Sequence, residues 1–304
     1  NNTFNDRNTI SGMMVFTGRE SLSGNAGDLQ SSLPFRNLGL AGRFTYDYDS
    51  RYFGEFNFGY NGSERFDKNN RFGFFPSAGI GWSVSNEDFW TDEVKEVVSR
   101  LRLKATYGLV GNDQIGRAQD RFFYLSNVNL DNDGRGYSFG TNYNYSRPGV
   151  SISRYADPDI GWEVAYKTNI GLELGLFDNK IEIQADYFTE TRENILQERA
   201  DIPTSMGLQV IPVTNIGEAK GHGVDISLDY NHFIGKDFWI TSRSNFTFAE
   251  SEFKFYEEPD YYETPWRSRI GQSLGQEWGY VAERLFVDEE EVRNSPPQFG
   301  EYLA

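Results

Sequence analysis

The chain has 304 residues, enough for one large β domain or two smaller domains. Its net charge of −16 excludes a nucleic-acid surface, which needs clustered cations, and its lack of cysteine excludes a disulfide framework, a thiol nucleophile and a cysteine metal site. Aromatic residues make up 16%, mostly Phe and Tyr, and 31 glycines accompany them, a mix that favours strands joined by many turns. No apolar run reaches the roughly 18 residues of a transmembrane helix. A mean hydropathy of −0.61 is still no sign of solubility, because a membrane barrel hides its apolar residues in alternation.

Residues 8–19 read as a strand and the Gly/Ser/Asn-rich stretch 20–36 as a long loop. In 37–48, Leu38, Leu40, Phe44, Tyr46 and Tyr48 oppose Gly39, Ala41, Arg43, Thr45 and Asp47, and Asp49-Ser50-Arg51 is a tight turn. Strand 52–61 sets Tyr52, Phe56, Phe58 and Tyr60 against Glu55, Asn57 and Asn61, before a polar loop at 61–71. Strand 72–84 follows, with Phe74, Ala78, Ile80, Trp82 and Val84 on one face. The period changes over 85–100, where Ser85 is expected to cap a short helix with an acidic start. Residues 101–109 alternate again. The Asn/Gly/Asp/Tyr-rich region 111–158 is expected to be a long loop, with a hairpin of its own turning at Asp131-Asn132-Asp133-Gly134.

The clearest element is the hairpin at 162–192. Tyr166, Thr168, Ile170, Leu172, Leu174 and Leu176 share one face of its descending arm, and Ile181, Ile183, Ala185 and Tyr187 one face of the returning arm. Strict alternation over this length gives two long antiparallel strands, each with an apolar and a polar face. Arms of roughly 11–14 residues exceed the usual 5–6 and suffice to cross a bilayer, which takes about 9–11. A loop at 193–214, a strand at 215–231, a turn at 232–237 and a strand at 238–250 complete the pattern, and 252–304 reads as an acidic, aromatic loop region.

Turns alternate between short (49–51, 177–180, 232–237) and long (20–36, 61–71, 111–158, 193–214). Short turns at one end and long loops at the other describe an all-β antiparallel transmembrane barrel with long extracellular loops. A soluble β-sandwich also alternates and is the competing architecture. In a barrel, Arg43, Glu55, Lys104, Glu173, Glu182, Asp186, Asp225, Asp229 and Arg243 face the lumen, and the apolar faces meet lipid.

Other motifs carry less. His222 and His232 lack metal-ligand spacing, and no GxSxG elbow supports a catalytic serine. Asp131–Gly134 lacks the rest of a calcium loop and is read as a turn, and Asp288-Glu289-Glu290-Glu291 as a solvated loop. No catalytic residue, metal site or cofactor is expected. Tyr261, Tyr262, Trp266, Trp278 and Tyr280 crowd the final loop, where they either bind a ligand's rings or side chains or pack the loop.

The stretches NGSERF with NNRFGFFPSAGIGWSVSNEDFW (61–90), LRLKATYGLVGND (101–113), GWEVAYKTNIGLELGLFDNKIEIQADYFTETRENIL (161–196) and NIGEAKGHGVDISLDYN (215–231) occur in one order. A looser stretch is IGQSLGQEWGYVAERLFVDEEEV (270–292). Through these the chain resembles the β-barrel portion of SusC/RagA-type TonB-dependent outer-membrane transporters of the Bacteroidota. The resemblance implies that 1–304 is a C-terminal-side part of such a barrel, 9–11 strands or about half of 22, without the family's signal peptide, plug or last strands. It implies a non-enzymatic nutrient importer of the outer membrane, taking an oligosaccharide or peptide beneath a SusD-like surface lipoprotein and energised by the TonB–ExbB–ExbD complex through the plug. The alternatives are a SusC-like structural subunit of a larger outer-membrane assembly and a soluble carbohydrate-binding β domain.

Overall fold

The computed structural model describes residues 2–295 other than 6, 26, 28, 117–119, 236, 280, 281 and 283, and residues 29 and 30 by their backbone alone. Twelve strands occur among them. In chain order they are β1 (Asn2–Phe4), β2 (Asn8–Ser21), β3 (Phe35–Tyr48), β4 (Tyr52–Ser63), β5 (Phe72–Ser83), β6 (Val98–Asn112), β7 (Asn127–Phe139), β8 (Tyr145–Arg154), β9 (Glu163–Leu176), β10 (Ile181–Glu198), β11 (Val213–Ile234) and β12 (Phe238–Phe255). The helices are three short pieces, α1 (Leu29–Ser32), α2 (Asp92–Val97) and α3 (Glu289–Asn294). No helix among the described residues is long and apolar enough to cross a membrane, which says nothing of crossing by strands.

Ten strands form one antiparallel sheet in the order β1-β2-β3-β4-β5-β6-β9-β10-β11-β12. It is an up-and-down meander, interrupted once where β7 and β8 leave as a separate two-stranded sheet. The sheet is open, so the alternating strands build a wall and not a closed barrel. The links after β1, β3, β5, β9 and β11 lie at one end, and those after β2, β4, β6 and β10 at the other. Asp49 and Ser50, at φ 53° and 54°, and Phe177, Asp178 and Asn179, at 53–60°, take left-handed backbone. That geometry matches the twist of the flanking strands and favours the Asp and Asn found there.

At the short-turn end, segment 84–97 folds back on the 49–51 turn. Arg51 pairs with Asp88 at 2.6 Å, Asp49 at 3.3 Å and Glu87 at 3.4 Å, and Trp82 Nε1 donates to Glu87 at 2.9 Å. Hydrogen bonding from Tyr52 and Trp82 holds Glu87 below the usual carboxylate range, and Arg51 holds Asp88 there. A depressed carboxylate stabilises the fold above its unfolded pKa, about 4, and that stabilisation is lost as pH falls through the folded value. Arg51→Gln is therefore expected to destabilise the fold at pH 7 and to do so progressively less below about pH 4, as read by unfolding curves against pH.

Several expected boundaries move. The hairpin expected at Asp131–Gly134 turns instead at 140–144, and those four residues lie inside β7, in a stretch with register shifts. Asp and Gly supplied turn chemistry there, but the irregular ladder absorbs it as bulges. The loop read over 193–214 shrinks to 199–212, because β10 and β11 run on past the point where alternation fades. The helix expected from Ser85 is a 3₁₀ turn at Val84–Asn86 followed by α2 with Thr91 as its N-cap. Residues 288–291 are the start of α3, with Asp288 accepting from the Glu291 backbone N–H at 2.8 Å. The described residues from 275 onward form a compact unit of their own, in which Arg284 also pairs with Glu291.

Candidate functional site

Directly opposed residues in a sheet share a face, so the register tests the lumenal set. Thr45 faces Glu55, Glu55 faces Gly79, Gly79 faces Thr106, Thr106 faces Asn169, Asn169 faces Phe188 and Phe188 faces Gly223. Steps of two along each strand keep that face. Arg43, Glu55, Lys104, Glu173, Glu182, Asp186, Asp225, Asp229 and Arg243 all lie on it. The reverse face carries Phe44, Phe56, Ile80, Leu103, Ile170, Tyr187, Ile226 and Phe246, each at least 40% exposed. A continuous apolar face left open to the surroundings marks an interaction with lipid or protein.

The polar face is an ion-pair lattice. Arg43 Nη2 reaches Glu55 at 2.5 Å, and Asn57 Nδ2 donates to the same carboxylate at 2.7 Å. Asp186 faces Gly171 across β9, and Gly171 faces Lys104 on β6. Lys104 thus spans two strand spacings, roughly 10 Å, to reach Asp186 at 3.1 Å. The same pattern repeats four residues along: Arg100, Gly175 and Glu182 are in line, and Arg100 reaches Glu182 at 3.2 Å. Between them Arg102 and Lys104 flank Glu173 at 3.6 and 3.9 Å. A Cβ at Gly171 would meet Lys104 Cε and Asp186 Oδ1, so a side chain there displaces the two ends of this ion pair. Gly171→Val is expected to cost about 1–3 kcal/mol by overpacking, and Lys104→Ala in the same chain to recover part of it. Urea unfolding of the two single variants and the double variant measures both.

Two rows set like charges directly opposite each other, Asp186 with Asp225 and Glu182 with Asp229. Such rows are unfavourable alone. Here each carboxylate is met from its outer side. Lys104 and Arg100 serve β10, Arg243 binds Asp229 at 2.5 Å, and the Thr247 hydroxyl donates to Asp225 at 2.5 Å. Arg100 and Arg102 belong to this lattice but were not singled out from sequence. Arg100 sits where the period changes, and the carboxylates that both meet, Glu182 and Glu173, lie more than seventy residues away in the chain. A cavity of about 940 Å³ lies over the face, lined by Arg43, Glu55, Asn57, Arg102, Lys104 and Glu173. The charged groups of β10–β12 lie outside it.

A second centre sits at the long-loop end. Phe66, Ile115, Phe123 and Ile160 form a buried cluster, with Trp162, Leu196 and Val213 packed against it. Trp162 meets Phe75 edge-on at 5.1 Å and donates Nε1 to the Arg71 carbonyl at 3.2 Å. Arg154 donates Nη2 to the carbonyl of Arg121 at 2.8 Å, pairs with Asp120 at 3.7 Å and lies over the Phe123 ring. The loop 64–71, the described residues of 113–126 and the loop 155–162 thus pack together as a cap.

The final loop folds back on the strand ends. Glu257 takes both oxygens to Arg199 Nε, at 3.0 and 2.9 Å, and accepts from the Ala200 N–H at 2.7 Å. Arg199 holds its carboxyl below the usual range. Tyr261, Tyr262 and Pro265 line a groove of about 520 Å³, with Trp266, 67% exposed, beside them in the chain. Arg267 already lies over the Tyr261 ring at 5.3 Å. Trp278 belongs to the separate unit 275–304, and Tyr280 lies outside the described residues. His222 sits on the apolar side of β11 near its loop end, 4.0 Å from Glu250. Among the described residues no group of three or more His, Asp or Glu could hold a metal.

Residues 4–294 match the family model described as TonB dependent receptor-like, beta-barrel. TonB-dependent receptor P3 of Formosa agariphila is 30% identical over 79% of this chain and 23% of its own length. TonB-dependent receptor SusC of Bacteroides thetaiotaomicron is 32% identical over 69% of this chain and 20% of its own length. In fold, the RagAB peptide importer in its open-open state superposes with a TM-score of 0.66 at 24% identity, over 84% of this chain and 28% of that one. The chain therefore spans about a quarter of the length of these relatives.

Proposed function

Since this chain belongs to the TonB-dependent receptor-like β-barrel family, in its SusC/RagA branch, we propose that it forms part of the wall of an outer-membrane nutrient importer. The observation that carries this reading is the register, which sends every charged candidate to one face of a ten-stranded sheet and leaves the other face apolar except near the loop end, where Glu20, Arg36, Lys220, His222, Glu250 and Glu252 lie. The apolar face meets lipid, the ion-pair lattice faces the lumen, the short turns lie in the periplasm and the cap lies outside the cell. Both sheet edges carry unpaired backbone groups, which lipid does not tolerate. In this reading residues 1–304 are a C-terminal-side part of a larger barrel whose other strands and plug come from further sequence.

The wall does no covalent chemistry. Its fixed charges and loops select what passes, an oligosaccharide or a peptide delivered with a SusD-like surface lipoprotein, and the TonB–ExbB–ExbD complex supplies energy through the plug. The aromatic loop 256–274 is the first candidate for substrate contact, through Tyr262 and Trp266. The experiment is purification of the full-length protein from outer membranes in detergent, with its partners identified, followed by substrate uptake in cells with and without TonB. Co-purification with a SusD-like lipoprotein and TonB-dependent uptake is the expected result. Recovery of the protein without detergent, or uptake that ignores TonB, would overturn the reading.

A further inference from the structure

The link from β5 to β6 is longer than the wall requires. At the short-turn end the chain reverses in three residues at 49–51 and in four at 177–180, yet it takes fourteen at 84–97. Neighbouring antiparallel strands need only a tight turn. Both ends of this link are fixed on the apolar side of the wall. Trp82 and Tyr52 face each other on that side, and both hydrogen-bond the Glu87 carboxylate, Trp82 through Nε1 at 2.9 Å. At the other end Val98 faces Leu176, which faces Ile181 in the apolar band. Trp90 Nε1 donates to the Val98 carbonyl at 3.1 Å, and the Val97 carbonyl accepts from the Phe177 N–H at 2.9 Å. The charged first half of the link has a task within the fold, since Glu87 and Asp88 hold Arg51. Its apolar residues have none. Phe89 is 64% exposed, and Val94 and Val97 are exposed as well. Val94 and Val97 stand three apart on α2 and share one side of it, whereas Asp92 and Glu96, four apart, share the opposite side.

We propose that residues 84–97 form an interfacial anchor, lying in the headgroup region of the periplasmic leaflet with Phe89, Val94 and Val97 turned toward the acyl chains. The occupant of this apolar surface is phospholipid, because the link leaves and rejoins the wall on the apolar face and so continues it. An amphipathic segment at this depth lies in the membrane plane, its apolar side at the boundary of headgroup and acyl chain and its charged side in water. Asp92, Glu93 and Glu96 supply the charged side. Trp82 and Tyr52 mark the level, with ring bodies on the lipid side and polar tips on Glu87, the arrangement that suits an aromatic side chain to a membrane interface. The inference rests on the import reading only for the membrane itself.

The test uses the full-length protein in phosphatidylcholine vesicles, with a bimane fluorophore on one introduced cysteine at a time: Phe89→Cys, Val94→Cys, Asp92→Cys and Ile170→Cys. Residues 1–304 contain no cysteine, and all four positions are exposed, so the label leaves the fold intact. The two quenchers are a lipid with a nitroxide at the top of its acyl chain and iodide on both sides of the bilayer. At 89 and 94 the nitroxide lipid is expected to quench several-fold more than at 92, and iodide several-fold less. Equal quenching at 89, 92 and 94 would overturn the anchor. So would probes at 89 and 94 that are shielded from iodide yet untouched by the nitroxide, because protein and not lipid then covers the segment. Ile170, in the apolar band, separates this failure from that of the import reading. Nitroxide quenching at 170 but not at 89 and 94 sinks the anchor alone. No nitroxide quenching at 170 takes the wall out of the membrane and the anchor with it.

Discussion

Ile170→Arg is expected to cost about 2–4 kcal/mol of folding stability in a bilayer, and Asn169→Arg, one residue away, close to nothing. The two side chains leave β9 on opposite faces. Ile170 faces Ala105 on β6 and Tyr187 on β10, in the apolar band, and is 58% exposed. Asn169 faces Thr106 and Phe188 on the polar side, which the import reading turns toward an aqueous lumen. A soluble sheet with water on both sides would tolerate both substitutions. Urea unfolding of the full-length protein folded into lipid vesicles separates the cases. Equal costs at 169 and 170 would remove the membrane assignment of the apolar face.

Phe123→Ala is expected to open the cap while the wall persists. Phe123 is 1% exposed and packs with Phe66, Ile115 and Ile160. Its backbone is also a junction: its N–H donates to the Arg65 carbonyl at 3.1 Å and its carbonyl accepts from the Asp157 N–H at 2.9 Å. Removing a buried Phe side chain costs about 3–5 kcal/mol. Within the cap that raises amide hydrogen exchange by roughly a hundred- to several-thousand-fold over 64–71 and 113–126. Amides of β3 to β5 are expected to keep their protection, because their partners are strand neighbours and not the cap. Exchange rising equally in both regions would mean that cap and wall unfold as one unit.

The sequence made the two faces legible because alternation is a local signal and each strand repeats it. All nine charged candidates fall on one face for that reason. Phe66, Ile115, Phe123 and Ile160 could not be found in the same way. They lie in three aperiodic loops separated by strands across nearly a hundred residues, and only the tertiary fold brings them together. The Lys104–Gly171–Asp186 line was equally hidden, since it joins three strands and its central member is a glycine with no side chain to notice. Asp131–Gly134 misled in the opposite direction, because its turn chemistry is real and the bulged ladder of β7 accommodates it.

The departure of β7 and β8 from the meander has a kinetic consequence. Nearly every strand pair in the sheet is joined by a connection short enough to form as a local hairpin. The β6–β9 pair is joined only through residues 113–162. Closing a connection of that length costs about 2 kcal/mol more chain entropy than closing a four-residue turn. Folding is therefore expected to start from two separate nuclei, β1 to β6 and β9 to β12, with their seam zipping last. The cap speeds that step. Gly161 donates to Asn215 at 2.9 Å and Asn70 to the Pro158 carbonyl at 3.0 Å, which ties the far end of the excursion to both halves. A cap that forms early shortens the effective loop, so a substitution in its core slows closure of a seam that it never touches.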